Sequence, residues 1–190
     1  MSLRIIGGSA RGRLLRSPDT EDVRPTSGRV RQVLFDLMGQ RLNGGAVLDL
    51  YAGTGALALE ALSRGADSAL CVDSSEDNLA LCRENATALG FADRLQTLRL
   101  TLPAGLDRLP RTPRALVLAD APYADAARGY ADLLRWLPGS GILAAGSRVV
   151  LEASRRTSFE VGELAKNPGL TRLDLRRTGD TLLAVYAREE

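Results

Sequence analysis

Three aspartates stand where this chain could do chemistry. Asp49 lies near the end of the apolar run 46–51, Asp73 closes the run Ser68–Asp73, and Asp120 follows Ala115–Ala119. If those runs are strands of one open α/β sheet, their carboxyl ends form a shared rim, the place where such sheets bind ligands. After Asp49 comes Tyr51-Ala52-Gly53-Thr54-Gly55. Gly53 and Gly55 allow a tight turn and close backbone approach, and the helix that follows starts with free N–H groups. The turn is no phosphate loop. Ala56-Leu57 stands where a P-loop needs Lys-Ser/Thr, and Ala58 where a dinucleotide fingerprint needs its third glycine. An acid before the glycines suits a cationic ligand better. Asp73 comes 18 residues beyond Gly55, as an acid that accepts from ribose hydroxyls would. Its plain alternative is a cap for the next helix, a task Ser74-Ser75 could also do. Asp120-Ala121-Pro122-Tyr123 combines a carboxylate, a main-chain carbonyl and an aromatic ring.

The remaining pattern supplies elements to position these residues. Leu3, Ile5, Ile6 and Arg13–Leu15 flank a glycine turn as a short hairpin would. Residues 17–26 hold turn formers without a period, and Thr26 or Ser27 can cap a helix. Val30, Val33, Leu34, Leu37 and Met38 follow at helical spacing, with Arg29 and Arg31 off that stripe and expected in solvent. From Ala46 onward strands and helices alternate: strand 46–51, helix 56–64, strand 68–73, helix 76–89, strand 95–100. A helix-like piece spans 102–113, then come strand 115–119, helix 129–137 with Trp136 in the core, and strand 149–152. Segments 170–177 and 180–186 alternate around Thr178-Gly179 as an antiparallel hairpin. The expected fold class is α/β, a doubly wound, mostly parallel Rossmann-like sheet with an antiparallel C-terminal hairpin. Residues 1–27 form a small N-terminal hairpin extension and 28–190 the main domain.

Composition narrows the function. A chain of 190 residues, 45% hydrophobic, is one globular domain rather than a disordered one. No apolar run reaches a membrane span, and the N-terminus lacks a signal-peptide core. The cytoplasm is therefore expected, with Cys71 and Cys82 as reduced core thiols. The chain contains no histidine, so a histidine base and a histidine metal site are excluded. Net charge is only +2, yet Arg4, Arg11, Arg13, Arg16, Arg24, Arg29 and Arg31 crowd the first fifth. Planar guanidinium groups fit phosphates, which points to nucleic acid.

Beyond these readings lies a family resemblance. Residues 120–123 are similar to the [D/N]-P-P-[Y/F] motif of amine methyltransferases, and the strand, acid and G-x-G resemble their motif I. Arg4-Ile5-Ile6-Gly7-Gly8 with Arg11-Gly12-Arg13, Arg24-Pro25-Thr26 with Arg29-Val30-Arg31, and Leu48-Asp49-Leu50-Tyr51-Ala52-Gly53-Thr54-Gly55 through Ala66 resemble the bacterial 16S rRNA guanine-N2 methyltransferases, the small-subunit methyltransferase D family. The resemblance implies a class I S-adenosylmethionine-dependent fold and methylation of guanine 966 on its N2 amine. It implies an rRNA or 30S partner, a monomer and no metal. S-adenosylmethionine would be held by Asp49, Tyr51, Ala52, Gly53, Gly55, Asp73, Ser74 and Thr101. Asp120, Ala121, Pro122 and Tyr123 would hold the guanine, reached by flipping or in an unpaired strand. Arg11, Arg13, Arg24, Arg29 and Arg31 would contact RNA. Two positions depart from the family. Ala121 replaces a proline, which removes a fixed φ, and Thr101-Leu102 replaces an acid or amide followed by alanine. The same tetrad also serves adenine-N6, cytosine-N4 and glutamine-N5 transfer, and an inactive RNA-binding assembly factor is a further alternative.

Overall fold

Apolar runs rich in Val, Leu and Ala form buried parallel strands here, because helices cover both faces of the sheet. The computed structural model describes residues 3–18, 27–122, 126–154 and 169–189. Five strands run parallel: β1 (Ala46–Leu50), β2 (Ser68–Asp73), β3 (Leu95–Arg99), β4 (Arg114–Asp120) and β5 (Leu143–Ser154). Two more, β6 (Leu170–Thr178) and β7 (Thr181–Arg188), close the sheet as an antiparallel hairpin, and β7 also pairs antiparallel with β5. The order is β3-β2-β1-β4-β5-β7-β6. The sequence of strands reverses between β1 and β4, so a crevice opens at their carboxyl ends. This is the Rossmann-like fold anticipated from the alternation of elements.

Period-two alternation assigns each side chain a face. Val47, Ala69, Cys71, Leu116, Leu118 and Val150 share a core with α1 (Gly28–Leu37), α2 (Ala56–Ser63) and α3 (Glu76–Leu89). Leu48, Leu50, Leu70, Val72, Val117 and Ala119 pack on the other face, against α4 (Ala126–Trp136) and residues 100–109. By that parity Asp49, Asp73 and Asp120 all belong to the α2 face, and so does Glu152 of β5.

Several boundaries differ from the sequence expectation. Residues 102–113 form no long helix; only Leu106–Arg108 make a 3-10 turn. Pro103, Pro110 and Pro113 leave too few main-chain donors and too little α space for more. The last helix begins at Ala126, not at 129, and β5 begins at Leu143, not at 149. Trp136 is half-buried instead of core, and its Nε1 donates to Asp107 Oδ1 at 2.7 Å.

The N-terminal segment pairs as a reduced hairpin, with one bridge between Arg4 and Leu14. Ile5 N–H donates to Arg13 O and Leu15 N–H to Leu3 O, both at 2.9 Å. Leu3, Ile5, Ala10 and Leu15 lie in the same core as α2 and the sheet. α2 fastens this segment. The buried Glu60 carboxylate accepts from Ile6 N–H (2.8 Å) and Gly7 N–H (2.7 Å). Ser63 Oγ accepts from Ala10 N–H and donates to Gly7 O. At Gly8, with φ of 76°, a Cβ would sit 1.9 Å from Ser63 O, so only glycine fits. Ser27 caps α1 through Val30 N–H; Thr26 lies outside the described residues.

Candidate active site

β1 delivers the chain into a strained turn. Tyr51 takes a φ of 60°, rare for a bulky side chain, before Gly53 at 53° and Gly55 at 76°. Non-glycine residues hold such angles at a cost of about 1–3 kcal/mol, and they cluster at ligand sites. Ala52 N–H donates to Val72 O at 3.0 Å, which ties the turn to β2. Gly55 caps α2 where a Cβ would meet Cys82 Sγ at 2.3 Å, so the glycine lets α3 approach. A Cβ on Gly53 would meet nothing within 4 Å; the space above the turn is open.

The three aspartates do converge. Leu50 pairs with Val72 on one side and Ala119 on the other, so Asp73 and Asp120 flank Tyr51. Adjacent strands lie about 4.8 Å apart. Asp49 feels both other carboxylates. Its pKa rises to about 8, first through burial and further through repulsion by Asp120 and Asp73, while a bond from Ala58 N–H to Oδ2 (2.9 Å) opposes the rise. Asp49 is 1% exposed, so it lies beneath the turn and does not open into the crevice as its position in sequence suggests. A carboxylate this close to a helix start finds N–H donors at once, and α2 closes over it. Its Oδ1 is buried without a hydrogen-bond partner among the described residues.

Asp73 joins two elements. Oδ2 accepts from Gly53 N–H (2.9 Å), and Oδ1 accepts from Ser75 N–H (2.9 Å) and Asn78 Nδ2 (3.2 Å). Ser75, not Asp73, is the N-cap of α3. A carboxylate has about four lone-pair sites, so Oδ2 retains one acceptor. Ser74 and Thr101 are exposed at the carboxyl ends of β2 and β3.

Asp120 ends β4 half-buried at the rim, and Pro122 is exposed. Tyr123 lies outside the described residues. Ala121 is buried, and its N–H donates to Tyr130 Oη at 2.7 Å. The Tyr130 hydroxyl also contacts Ala119 O (3.0 Å) and Glu152 O. One fully buried hydroxyl of α4 thus binds β4, β5 and the start of the tetrad. Burial drives its pKa well up, with Asp120 adding to the rise, so it stays protonated. A proline at 121 would have no N–H to give. The alanine loses a fixed φ and gains this bond. Sequence reasoning missed Tyr130. Its place on the apolar stripe of α4, with Leu133, Leu134 and Leu137, marks it as core and says nothing of its partners.

The arginines sort into distinct places. Arg29 is exposed in the first turn of α1. Arg11 is exposed on the N-terminal loop. Arg13 is exposed but bonds the end of α3, donating to Leu89 O at 3.4 Å and to Ala88 O. Arg31 is not in solvent. It is 2% exposed, donates to Arg4 O at 2.7 Å and lies in the field of Glu60 and Glu152. Burial lowers its pKa against the attraction of those two acids. Phe35 explains the change: the buried stripe of α1 is Val30, Arg31, Leu34 and Phe35, rotated from the expected one. Arg24 lies outside the described residues. A hollow of about 640 Å³ flanks the rim, lined by Pro103, Leu106, Gly129 and Trp136. At Gly129 a Cβ would sit 3.1 Å from Tyr51 Oη, so the hollow borders the glycine turn. No cluster of His, Cys, Asp or Glu suited to a metal occurs among the described residues.

A reversed Rossmann-like sheet, a glycine turn after the first strand and an acid at the end of the second and fourth define the fold class of the S-adenosylmethionine-dependent methyltransferases. Similarity agrees. A solved Escherichia coli protein, yhhF, provisionally described as a methyltransferase, superposes with a TM-score of 0.83 at 27% identity, covering 100% of this chain and 99% of that one. The model of the family described as Conserved hypothetical protein 95 matches residues 3–187. The chain belongs to this family, whose members include the small-subunit rRNA methyltransferase D proteins. "Ribosomal RNA small subunit methyltransferase D" of Escherichia coli K12 is 48% identical over 71 residues, 37% of this chain and 36% of that protein. YlbH of Bacillus subtilis 168, provisionally described as an rRNA methyltransferase, is 35% identical over 97 residues, 51% of this chain. The chain spans about half the length of YlbH, at 53%.

Proposed function

We propose that this protein transfers a methyl group from S-adenosylmethionine to the exocyclic N2 amine of a guanine, G966, in 16S rRNA. The observation that carries the reading is the position of Asp120. It stands at the strand-order reversal, in the same row as the glycine turn and close enough for its charge to act on Asp49. The site fits the cofactor on two counts: open space over Gly53 and a spare acceptor on Asp73. Tyr51, Ala52, Gly53 and Gly55 would hold the amino-acid end, Asp73 the ribose, and Ser74 and Thr101 the adenine. When bound, the cofactor supplies an activated sulfonium methyl, so no metal is needed. Asp120 and the Ala121 carbonyl accept the two amine N–H bonds, and Tyr123 stacks on the base. Tyr130 holds the Asp120–Ala121 peptide plane by accepting Ala121 N–H, and so steadies the strand end that carries Asp120. Arg29, at the start of α1, contacts RNA backbone.

The protein acts in the cytoplasm as a monomer on the small subunit. No helix among the described residues is long and apolar enough to cross a membrane. The test is methyl transfer to 30S particles lacking the mark, set against naked 16S rRNA. Mass spectrometry of the digested product should show N2-methylguanosine. A methyl group on adenine, cytosine or glutamine instead would move the protein to another amine.

A further inference from the structure

A second hollow, of about 980 Å³, lies far from the rim. α2 begins beside the glycine turn and ends at Ser63, eight residues and about 12 Å away. The hollow surrounds that far end, bordered by residues that precede β1 and β2. It therefore sits at the amino ends of the strands, on the pole opposite the rim.

Its lining is one-signed. Fifteen described residues line it, four of them arginines and none of them acidic. Arg64 forms the floor. It is sealed under Gly7, paired with Glu60 at 2.8 Å and stacked over Phe35, so it adds no net charge. Its Nη2 is nevertheless buried without a partner among the described residues. Arg11, Arg41 and Arg94 come from three separate segments and are left unbalanced. Among the described residues Arg11 and Arg41 form no ion pair and stand exposed. Arg94 is held ready: it stacks over Phe91 at 4.7 Å and gives one bond to Ala66 O at 3.3 Å. The neighbouring Asp67 is exposed, accepts from Gly45 N–H and forms no ion pair with these arginines among the described residues. A concave site with three unmatched guanidinium forks selects phosphate oxygens, and a fixed fork loses less freedom on binding.

We propose that this hollow binds phosphates of the RNA backbone, so that the RNA is gripped at the pole opposite the reacting base. The inference rests on the rRNA reading above and extends it: Arg11 contacts RNA here, with Arg41 and Arg94, and not beside Asp120. Phosphate contacts at that distance position the substrate and carry no base specificity. A chain of nucleotides long enough to reach both poles is required, and a short oligonucleotide carrying only the target base would miss the second one.

The experiment uses the full chain, with Arg41→Gln, Arg94→Gln and the triple variant that adds Arg11→Gln. Binding to unmethylated 16S rRNA and to 30S particles is measured from 50 to 300 mM salt, beside cofactor affinity and methyl transfer. Each substitution is expected to weaken RNA binding about tenfold and to flatten the salt slope by about 0.7. The RNA KM should rise with kcat and cofactor affinity unchanged. Arg41 is on the surface, so its variant reports even if Arg94→Gln melts early. Wild-type affinity and slope in the triple variant would overturn the proposal while leaving methyl transfer intact. Weakened binding to 30S particles with unchanged binding to naked rRNA would also overturn it, because a ribosomal protein would then fill the hollow. RNA lost from the variants, with no methyl transfer even by wild type, would uphold the hollow and sink the methyltransferase reading.

Discussion

Residue 121 shows how one substitution can be answered by a distant side chain. A proline there would fix φ; alanine instead gives its N–H to the hydroxyl of Tyr130, which holds the Asp120–Ala121 peptide plane. Tyr130→Phe should therefore lower kcat about tenfold, equivalent to about 1.4 kcal/mol, with cofactor affinity unchanged. A loss of thermal stability with kcat intact would make Tyr130 a packing residue only. Asp49 yields a second prediction at this scale. Its folded pKa, about 8, lies above the ordinary carboxylate value of 3.8. The folded state then holds a proton that the unfolded chain releases, so its stability contribution is complete below about pH 4 and is lost as pH rises toward 8. Asp49→Asn keeps an acceptor for Ala58 N–H and removes the titration. The melting temperature of wild type should fall relative to Asp49→Asn between pH 4 and 8, and the difference should close in acid. Parallel melting curves across that range would show that Asp49 is ionised throughout.

Elements were legible where local chemistry specifies them. β1 with its glycine turn, β2 ending in Asp73, and β4 ending in Asp120 follow from short apolar runs and turn residues alone. Arg31 was not legible, because its surroundings come from Glu60 and Glu152, remote in sequence. Phe35 rotates the buried stripe of α1 enough to carry Arg31 inside. Trp136 was misplaced for a similar reason: Asp107, in a segment broken by prolines, draws its N–H to the surface. The N-terminal hairpin was visible as a hairpin, but its dependence on α2 was not. Glu60 accepts two of its main-chain N–H groups and pairs with buried Arg64. Replacing one partner of a buried, hydrogen-bonded pair typically costs about 3–5 kcal/mol. Glu60→Ala should destabilise the protein by about that much in urea unfolding and expose residues 3–15 to proteolysis. A change below about 1 kcal/mol would mean that the hydrophobic contacts of Leu3, Ile5 and Leu15 hold the segment unaided.

At the scale of the molecule, two poles divide the work proposed for it. The carboxyl rim presents Asp73 and Asp120 to a ligand and an amine, with Asp49 sealed beneath the turn; the amino pole gathers arginines for phosphate. A net charge of +2 conceals this separation, and only the course of α2 through the structure reveals it. The central claim concerns the rim: Asp120 faces an exocyclic amine, beside a turn that holds the methyl donor. Asp120→Ala tests it most directly, with methyl transfer to unmethylated 30S particles and cofactor affinity measured on one preparation. The account predicts that turnover disappears while cofactor affinity stays within about twofold of wild type. Turnover at the wild-type rate in Asp120→Ala would contradict it.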